Sequence, residues 1–273
     1  PMLAQGASDA GGQVIQECAV RGGLTQAGRG SGVVTERGEI TCGQVVMAGG
    51  AWASSFCHQL GISFPQASIR STIMSVEPGA QGLPDALHTA RASVTRRGDG
   101  GYALAVSGRG QVDLSAQTLA YGRDFLPMFA RRWRLVSPGM TQAPHETRRR
   151  WALDRPTPME SARALDPAPN AAITRETLAR SRALLHGLKD AKVQAAWAGF
   201  IDTTPDGVPV IDPSETLPGF MLAAGFSGHG FGIGPAAGHL VADLITGGPP
   251  IVEPEQFKLA RLRASSWGRV AEM

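Results

Sequence analysis

Residues 218–247 read PGFMLAAGFSGHGFGIGPAAGHLVADLITG, and this segment constrains the chain more than any other. FMLAA is a short apolar run of strand length, bounded by glycines. GFSGHGFGIG then places five glycines in ten residues, so the main chain there can approach a ligand without Cβ clashes. Pro235 suits the first turn of a helix, where a missing N–H costs nothing. Ala236, Leu240, Val241, Leu244 and Ile245 recur at helical spacing, and Gly247 and Gly248 stop the run. The pattern predicts a strand, a glycine-dense turn and a helix from Pro235. The start of such a helix offers unpaired N–H groups and a positive dipole end, so something anionic, or flat and electron-rich, suits it.

The remaining composition narrows the class. The chain has 273 residues, 42% apolar and 18% charged, with 35 glycines and 19 prolines interleaved with apolar runs. That is a folded, turn-rich protein of one large domain or two small ones. No apolar run reaches the roughly 20 residues of a membrane-spanning helix. The net charge is +3. Arg131-Arg132-x-Arg134 and Arg148-Arg149-Arg150 are the basic runs, read as solvated faces; without interleaved aromatics they do not make a nucleic-acid groove. Cys18, Cys42 and Cys57 are an odd count with no CxxC, which predicts reduced thiols in a cytoplasmic protein. His58, His88, His145, His186 and His239 lack metal-ligand spacing, so no metal site is expected.

Along the chain, the opening residues read as the end of a helix, followed by a strand over 13–20. Short strands are predicted at 33–35 and 39–41, a buried strand at 44–48 and a helix at 52–60. Long strands follow over 68–77 and 93–106, the second broken by Arg97-Gly-Asp-Gly-Gly101. A helix over 115–134 has Ser115 as its cap and a kink at Pro127. Residues 138–169 carry no long periodic segment. A second helix spans 174–188, with Thr174 and Thr177 as candidate caps, and a short amphipathic helix spans 253–263 before a frayed tail.

Three segments together carry a family resemblance: AAGFSGHGFGIGPAAGHLVADL, VVMAGGAWAS (45–54) and WAGFIDTTPDGVPVID (197–212). In order and spacing they resemble the FAD-dependent amine and amino-acid oxidoreductases, the superfamily of D-amino-acid oxidase, sarcosine oxidase and glycine oxidase. The likeness spans nearly the whole chain, more loosely over 84–192. It implies an α/β fold with an α+β substrate part: a glutathione-reductase-like FAD-binding domain from residues 1–61 and 197–273, and an antiparallel-sheet substrate domain from 62–196. Family members begin with a βαβ unit carrying GxGxxG. This chain opens without one, so the FAD-binding domain is expected to be incomplete at its N-terminus. Gly232-Ile-Gly234-Pro-Ala-Ala237 mimics that fingerprint, but no second βα unit follows it.

The resemblance implies non-covalent FAD contacted by Val20, Ala48, Gly49, Gly50, Gly225, Ser227, Gly228, His229, Gly230, Phe231 and Gly232. Trp52 stands beside them, more a core anchor than a stacking partner. The turn amides are expected to face the electron-rich edge of the flavin, with His229 as donor or tuning group. Sarcosine oxidases carry a lysine where this chain has Gly232, and a flavin-linking cysteine near the TPD segment where it has Trp197-Ala-Gly-Phe200. Covalent attachment is therefore not expected, and a quinone or protein acceptor stands level with oxygen. A substrate carboxylate calls for arginine, bidentate where geometry allows. Arg70, Arg96, Arg97 and Arg109 are candidates, with Tyr102 as a hydroxyl partner; of these Arg70 and Tyr102, with His229, are chosen. Asp206-Gly207 reads as a turn, and Asp202 as a cap or pair. The implied activity is oxidation of the C–N bond of an amino acid or secondary amine by hydride transfer to flavin N5. The alternatives are a 2-hydroxy-acid oxidoreductase on the same fold, or a non-catalytic fragment or subunit without FAD. Oligomerisation is left open.

Overall fold

The computed structural model describes residues 2–79, 82–140 and 145–262. After helix α1 (Met2–Asp9), strands β1 (Val20–Gln26), β2 (Arg29–Thr35) and β3 (Gly38–Thr41) form an antiparallel meander. Strand β4 (Val45–Met47) leads through one 3₁₀ turn, Gly50–Trp52, into α2 (Ala53–Gln59). The large sheet uses β5 (Ala67–Val76), β6 (Ala86–His88), β7 (Ser93–Arg96), β8 (Tyr102–Ala105) and β9 (Gly110–Asp113). Helices α3 (Ala116–Tyr121) and α4 (Leu126–Arg132) cross over to β10 (Val136–Gly139), which pairs parallel with β9. The one-turn α5 (Pro158–Ser161) and the longer α6 (Ala171–Leu184) lead to β11 (Val193–Thr203). Strands β12 (Val210–Pro213) and β13 (Phe220–Ala224) precede α7 (Gly230–Thr246).

β5 organises the large sheet, whose order is β10-β9-β5-β8-β7-β6, with β11 also paired to β5. β9 and β8 share one edge of β5, and β11 takes the whole of the other, from Val193 opposite Val76 to Thr203 opposite Ala67. α6 covers one face: Leu178 and Leu185 pack on Met74, Val76, Val94 and Leu104. The small sheet runs β12-β13-β4, and all five residues of β13 are buried. Both its faces are covered, which is what an unbroken apolar run requires. Phe220, Leu222 and Ala224 meet Phe56 and Cys57 of α2, whereas Met221 meets Leu240 of α7. That burial pushes the Cys57 thiol up to about 12.

Several elements differ from the sequence expectations. The strand expected at 13–20 begins only at Val20. The helix expected over 115–134 is two helices, because Pro127 lies in the first turn of α4, a start position instead of a kink. Ser115 does cap α3, in a capping box with Thr118. α6 starts three residues before Thr174: Asn170 caps it, accepting from Ala172 N (2.9 Å) and Ile173 N (3.2 Å). Residues 254–257 and 259–262 are 3₁₀ turns, while Arg263 and the tail lie outside the described residues. β6, β9 and β10 are too short for their periodicity to show. β11 belongs to the large sheet through its full ladder with β5, so a domain boundary at residue 197 cuts a strand.

Asn170 also ties α6 to the sheet. Its Nδ2 donates to Gln111 Oε1 (2.7 Å) and its N–H to Thr72 Oγ1 (3.0 Å). Asn170→Ala is expected to cost about 2 kcal/mol, the upper range of a lost cap, because Gln111 also loses a buried partner. Urea unfolding measures this, and a loss of only a few tenths would show that α6 is held by packing alone.

Candidate active site

Asp202 sets the geometry of the glycine turn. Its carboxylate accepts the Gly225 N–H at 2.7 Å, and its carbonyl accepts the Ser227 N–H at 2.8 Å. The Asp202 carboxyl is pushed up by burial, opposed by the backbone N–H groups it accepts. Gly225 has φ +80, and a Cβ there would lie 2.4 Å from Thr204 Cγ2, so no side chain fits. Ser227 also has positive φ (+53), rare outside glycine. It is held there by Thr203 Oγ1 donating to its hydroxyl and by its own bond to Gly225 O.

The turn is shorter than the sequence pattern implies. The His229 carbonyl accepts from the N–H groups of Gly232 and Ile233, so α7 starts at Gly230 and Pro235 sits inside it. Phe231 and Gly232 are thus helical. Pro235 is tolerated because the carbonyl its N–H would have met belongs to Phe231, which is fully exposed. Among the described residues, the N–H groups of Gly228, Gly230 and Phe231 meet no acceptor. They point from the positive end of a 17-residue helix.

A cleft of about 520 Å³ opens beside these groups. Val46, Ala48 and Gly50 line it from the end of β4, Phe200, Ile201 and Asp202 from β11, Phe226 and Gly228 from the turn, and Gly230 and Phe231 from the start of α7. Gly234, Ala237, Gly238 and Val241 add one stripe of α7. A Cβ at Gly232, Gly234 or Gly238 would meet nothing within 4 Å, so packing among the described residues does not require these glycines. They leave room for a flat ligand against the helix.

Of the residues expected at the cofactor, Ala48, Gly50, Gly228, Gly230 and Phe231 line the cleft. Gly49, Gly225 and Ser227 lie behind it in the two turns. His229 caps α7 with an exposed ring that forms no hydrogen bond among the described residues. Gly232 faces open space, and Val20 opens β1 outside the lining. Trp52 is outside the lining, and its ring stands edge-on to His145 (centroids 6.3 Å apart).

The chosen substrate anchors are not brought to the cleft. Residues opposite one another across an antiparallel pair share a face. Arg70, opposite Phe200 and Gln111, lies on the buried face of the sheet, 7% exposed. It donates to Ala168 O (3.0 Å) and stands 3.8 Å from Asp113. Tyr102 is opposite Val76, at the far end of β5, inside the core under α6. Arg96, Arg97 and Arg109 pair with Asp85, Asp99 and Glu176. The face turned to the open side carries Ile69, Ser71 and Ile73 opposite Ile201, Gly199 and Trp197. Arg70 is not in the lining because it is buried within the sheet layer, where it is held by the Ala168 carbonyl and stands beside Asp113.

Sequence reasoning also missed a buried polar group behind Phe200. His145 is fully buried, with Nε2 2.9 Å from Ser68 Oγ and its ring 4.7 Å from Phe200. Beside it, Glu146 accepts the Ser68 N–H (2.9 Å) and is pushed up by burial. Neither sits in a motif; strand pairing and a loop bring them together.

An apolar cleft with unpaired N–H groups at one end and a strand-turn-helix along its side defines a class: proteins that hold a flat, electron-rich cofactor beside a sheet. The chain belongs to the family described as FAD dependent oxidoreductase, whose model matches residues 1–244. It is 28% identical over 246 residues to a glycine oxidase of Pseudomonas aeruginosa, covering 90% of this chain and 53% of that protein. It is 24% identical to a sarcosine oxidase subunit beta of Rhizobium meliloti, covering 94% and 50%. Among solved structures it resembles an L-amino acid deaminase from Proteus vulgaris (27% identity, TM-score 0.81, covering 95% of this chain and 61% of that one). The deaminase of Proteus myxofaciens, in complex with anthranilate, gives 26% and 0.85, covering 96% and 59%. The chain spans about half the length of the curated relatives it matches.

Burial lowers the His145 pKa from 6.5 to about 4. A folded pKa below the unfolded one means the unfolded chain takes the proton first, so stability present above pH 6.5 is lost as pH falls toward 4. Wild type is expected to lose about 3 kcal/mol relative to His145→Gln over that window. Urea unfolding of both proteins across it checks this; parallel pH profiles would refute a neutral buried imidazole.

Proposed function

We propose that this chain forms the flavin-facing and substrate-facing part of an FAD-dependent oxidoreductase that oxidises the C–N bond of an amino acid or secondary amine. The observation that carries the reading is the cluster of unpaired N–H groups at Gly228, Gly230 and Phe231, opening on the apolar cleft in a chain of this family. These groups, with the helix dipole, suit the electron-rich edge of a flavin and stabilise the negative charge that reduction places there. Bound FAD supplies a two-electron acceptor for the hydride of the substrate's α-carbon.

The chain's own residues do the positioning. Asp202 and Ser227 hold the turn so that its amides converge. Ala48 and Gly50 allow close backbone approach from the β4 side. Ile201, against Gly228, begins the apolar face of the large sheet, which excludes water from the reacting carbon. That face has no basic side chain in the rows 69–73 and 197–201, so a substrate carboxylate is held from elsewhere, and Arg70 has a structural role. Without cysteine in 197–200, that route to covalent attachment is closed, which supports non-covalent FAD. With glycine at 232, transfer to a quinone or a protein acceptor suits the site as well as oxygen. The FAD-binding domain is of the glutathione-reductase-like type. It takes residues 1–61 and those after Thr203, and the substrate domain runs from 62 through β11.

The full-length protein is expected to carry a visible flavin band that bleaches anaerobically with a pool of amino acids and secondary amines. Bleaching only by 2-hydroxy acids would move the activity to C–O bonds, and no flavin uptake would leave a non-catalytic subunit. A Cβ at Gly234 would meet nothing within 4 Å among the described residues, so Gly234→Ala adds a side chain that projects into open space beside the cleft. This variant should keep the thermal melting of the flavin-free protein while raising the FAD Kd at least tenfold; unchanged flavin affinity would remove α7 from the site.

A further inference from the structure

The crossover between β9 and β10 turns its apolar side outward. In α4, Leu126 and Phe129, with Trp133 just past the helix end, are 49%, 56% and 55% exposed, whereas Met128 on the opposite side is 6% exposed. Positions 126, 129, 130 and 133 fall on one stripe of a helix, so the exposed residues form a single ridge with Ala130 between them. Leu119 of α3 is 74% exposed. A short helix with its apolar stripe in water is unstable by itself; Met128 and Pro127 hold it in place, and the ridge is left for another surface.

Charge identifies that surface. Residues 123–134 contain four arginines and one aspartate, a net charge equal to the +3 of the entire chain. Arg132 and Arg134 flank the ridge on either side, and the Arg134 guanidinium stacks 5.1 Å over the Trp133 ring. A second copy of this chain would oppose two like-charged ridges, which disfavours self-association. Leucine, phenylalanine and tryptophan bordered by arginines suit the boundary between acyl chains and anionic headgroups.

We propose that the α3–α4 crossover docks the protein on an anionic lipid surface, with Leu126, Phe129 and Trp133 entering the acyl boundary and Arg123, Arg132 and Arg134 meeting the headgroups. The docking proposed for this surface is peripheral; no helix among the described residues is long and apolar enough to cross a membrane. It is independent of the substrate.

The test is sedimentation of the flavin-loaded, full-length protein with vesicles of phosphatidylcholine, alone or mixed with phosphatidylglycerol. Retention is expected on the mixed vesicles only and should fall as salt rises. Tryptophan emission should shift to the blue on binding, and Trp133→Phe should remove that shift. Leu126→Ser with Phe129→Ser, and separately Arg123→Gln with Arg134→Gln, should each lower partitioning at least tenfold with unchanged thermal melting, as all four residues are exposed. Failure of wild type to bind mixed vesicles at low salt, or equal binding by the variants, overturns the proposal. A lipid-free dimer lost in the serine variant overturns it in favour of a second copy. A protein complex that competes with vesicles and is lost in the same variant overturns it in favour of a protein partner.

Discussion

The ladder between β5 and β11 is the interaction on which the rest depends. Its register fixes Thr203 opposite Ala67 and so places Asp202 where it grips the glycine turn through Gly225 and Ser227. A slip of one residue would reverse every side chain on β11. Asp202 would then leave the turn, Ile201 would leave Gly228, and Phe200 would leave His145. The turn has little else to fix it: its glycines lose much freedom on ordering, and Ser227 occupies a sparsely populated conformation. The precise placement of three unpaired N–H groups is therefore inherited from a sheet that they do not belong to.

The same sheet inverts the usual pattern of a covered antiparallel layer. Near the cleft its buried face holds Ser68, Arg70, Thr72, Gln111 and Asp113, with His145 and Glu146 packed beside them. Its open face there holds isoleucine and Trp197, 38% exposed. Burying so many polar groups is costly unless they find partners, and most do, through Asn170, Gln111 and backbone carbonyls. Among the described residues, Arg70 Nε, His145 Nδ1 and Trp52 Nε1 remain without one. An apolar face open to one side and a polar network behind it suit a wall for reacting groups from which water is to be excluded.

Much of this was legible in the residues. The fold class followed from the strand-turn-helix of 218–247 and from two further segments in the right order, because these patterns are local. The glycine turn itself was legible too, since glycine is dictated by backbone geometry that leaves its mark at the position itself. Arg70 and Tyr102 lie away from the cleft lining for a physical reason. Both residues have the right chemistry, but strand alternation decides their face, and register decides which end of the sheet they reach. Neither quantity is written in a single strand. Helix limits were misplaced where a proline has two meanings: Pro127 starts a helix and Pro235 rides inside one, and only the hydrogen bonds of the preceding carbonyls distinguish the cases.

The sequence by itself determined the apolar run of β13, the glycine turn, the helix behind it and the absence of a cysteine near the TPD segment. These are properties of residues close together in the chain. Tertiary structure decided which polar groups are buried together, that β11 joins the large sheet, that the open sheet face is apolar, and that the ridge of α4 points outward. Each of those depends on contacts between residues far apart in sequence, where loop closure and packing, not local preference, select the outcome.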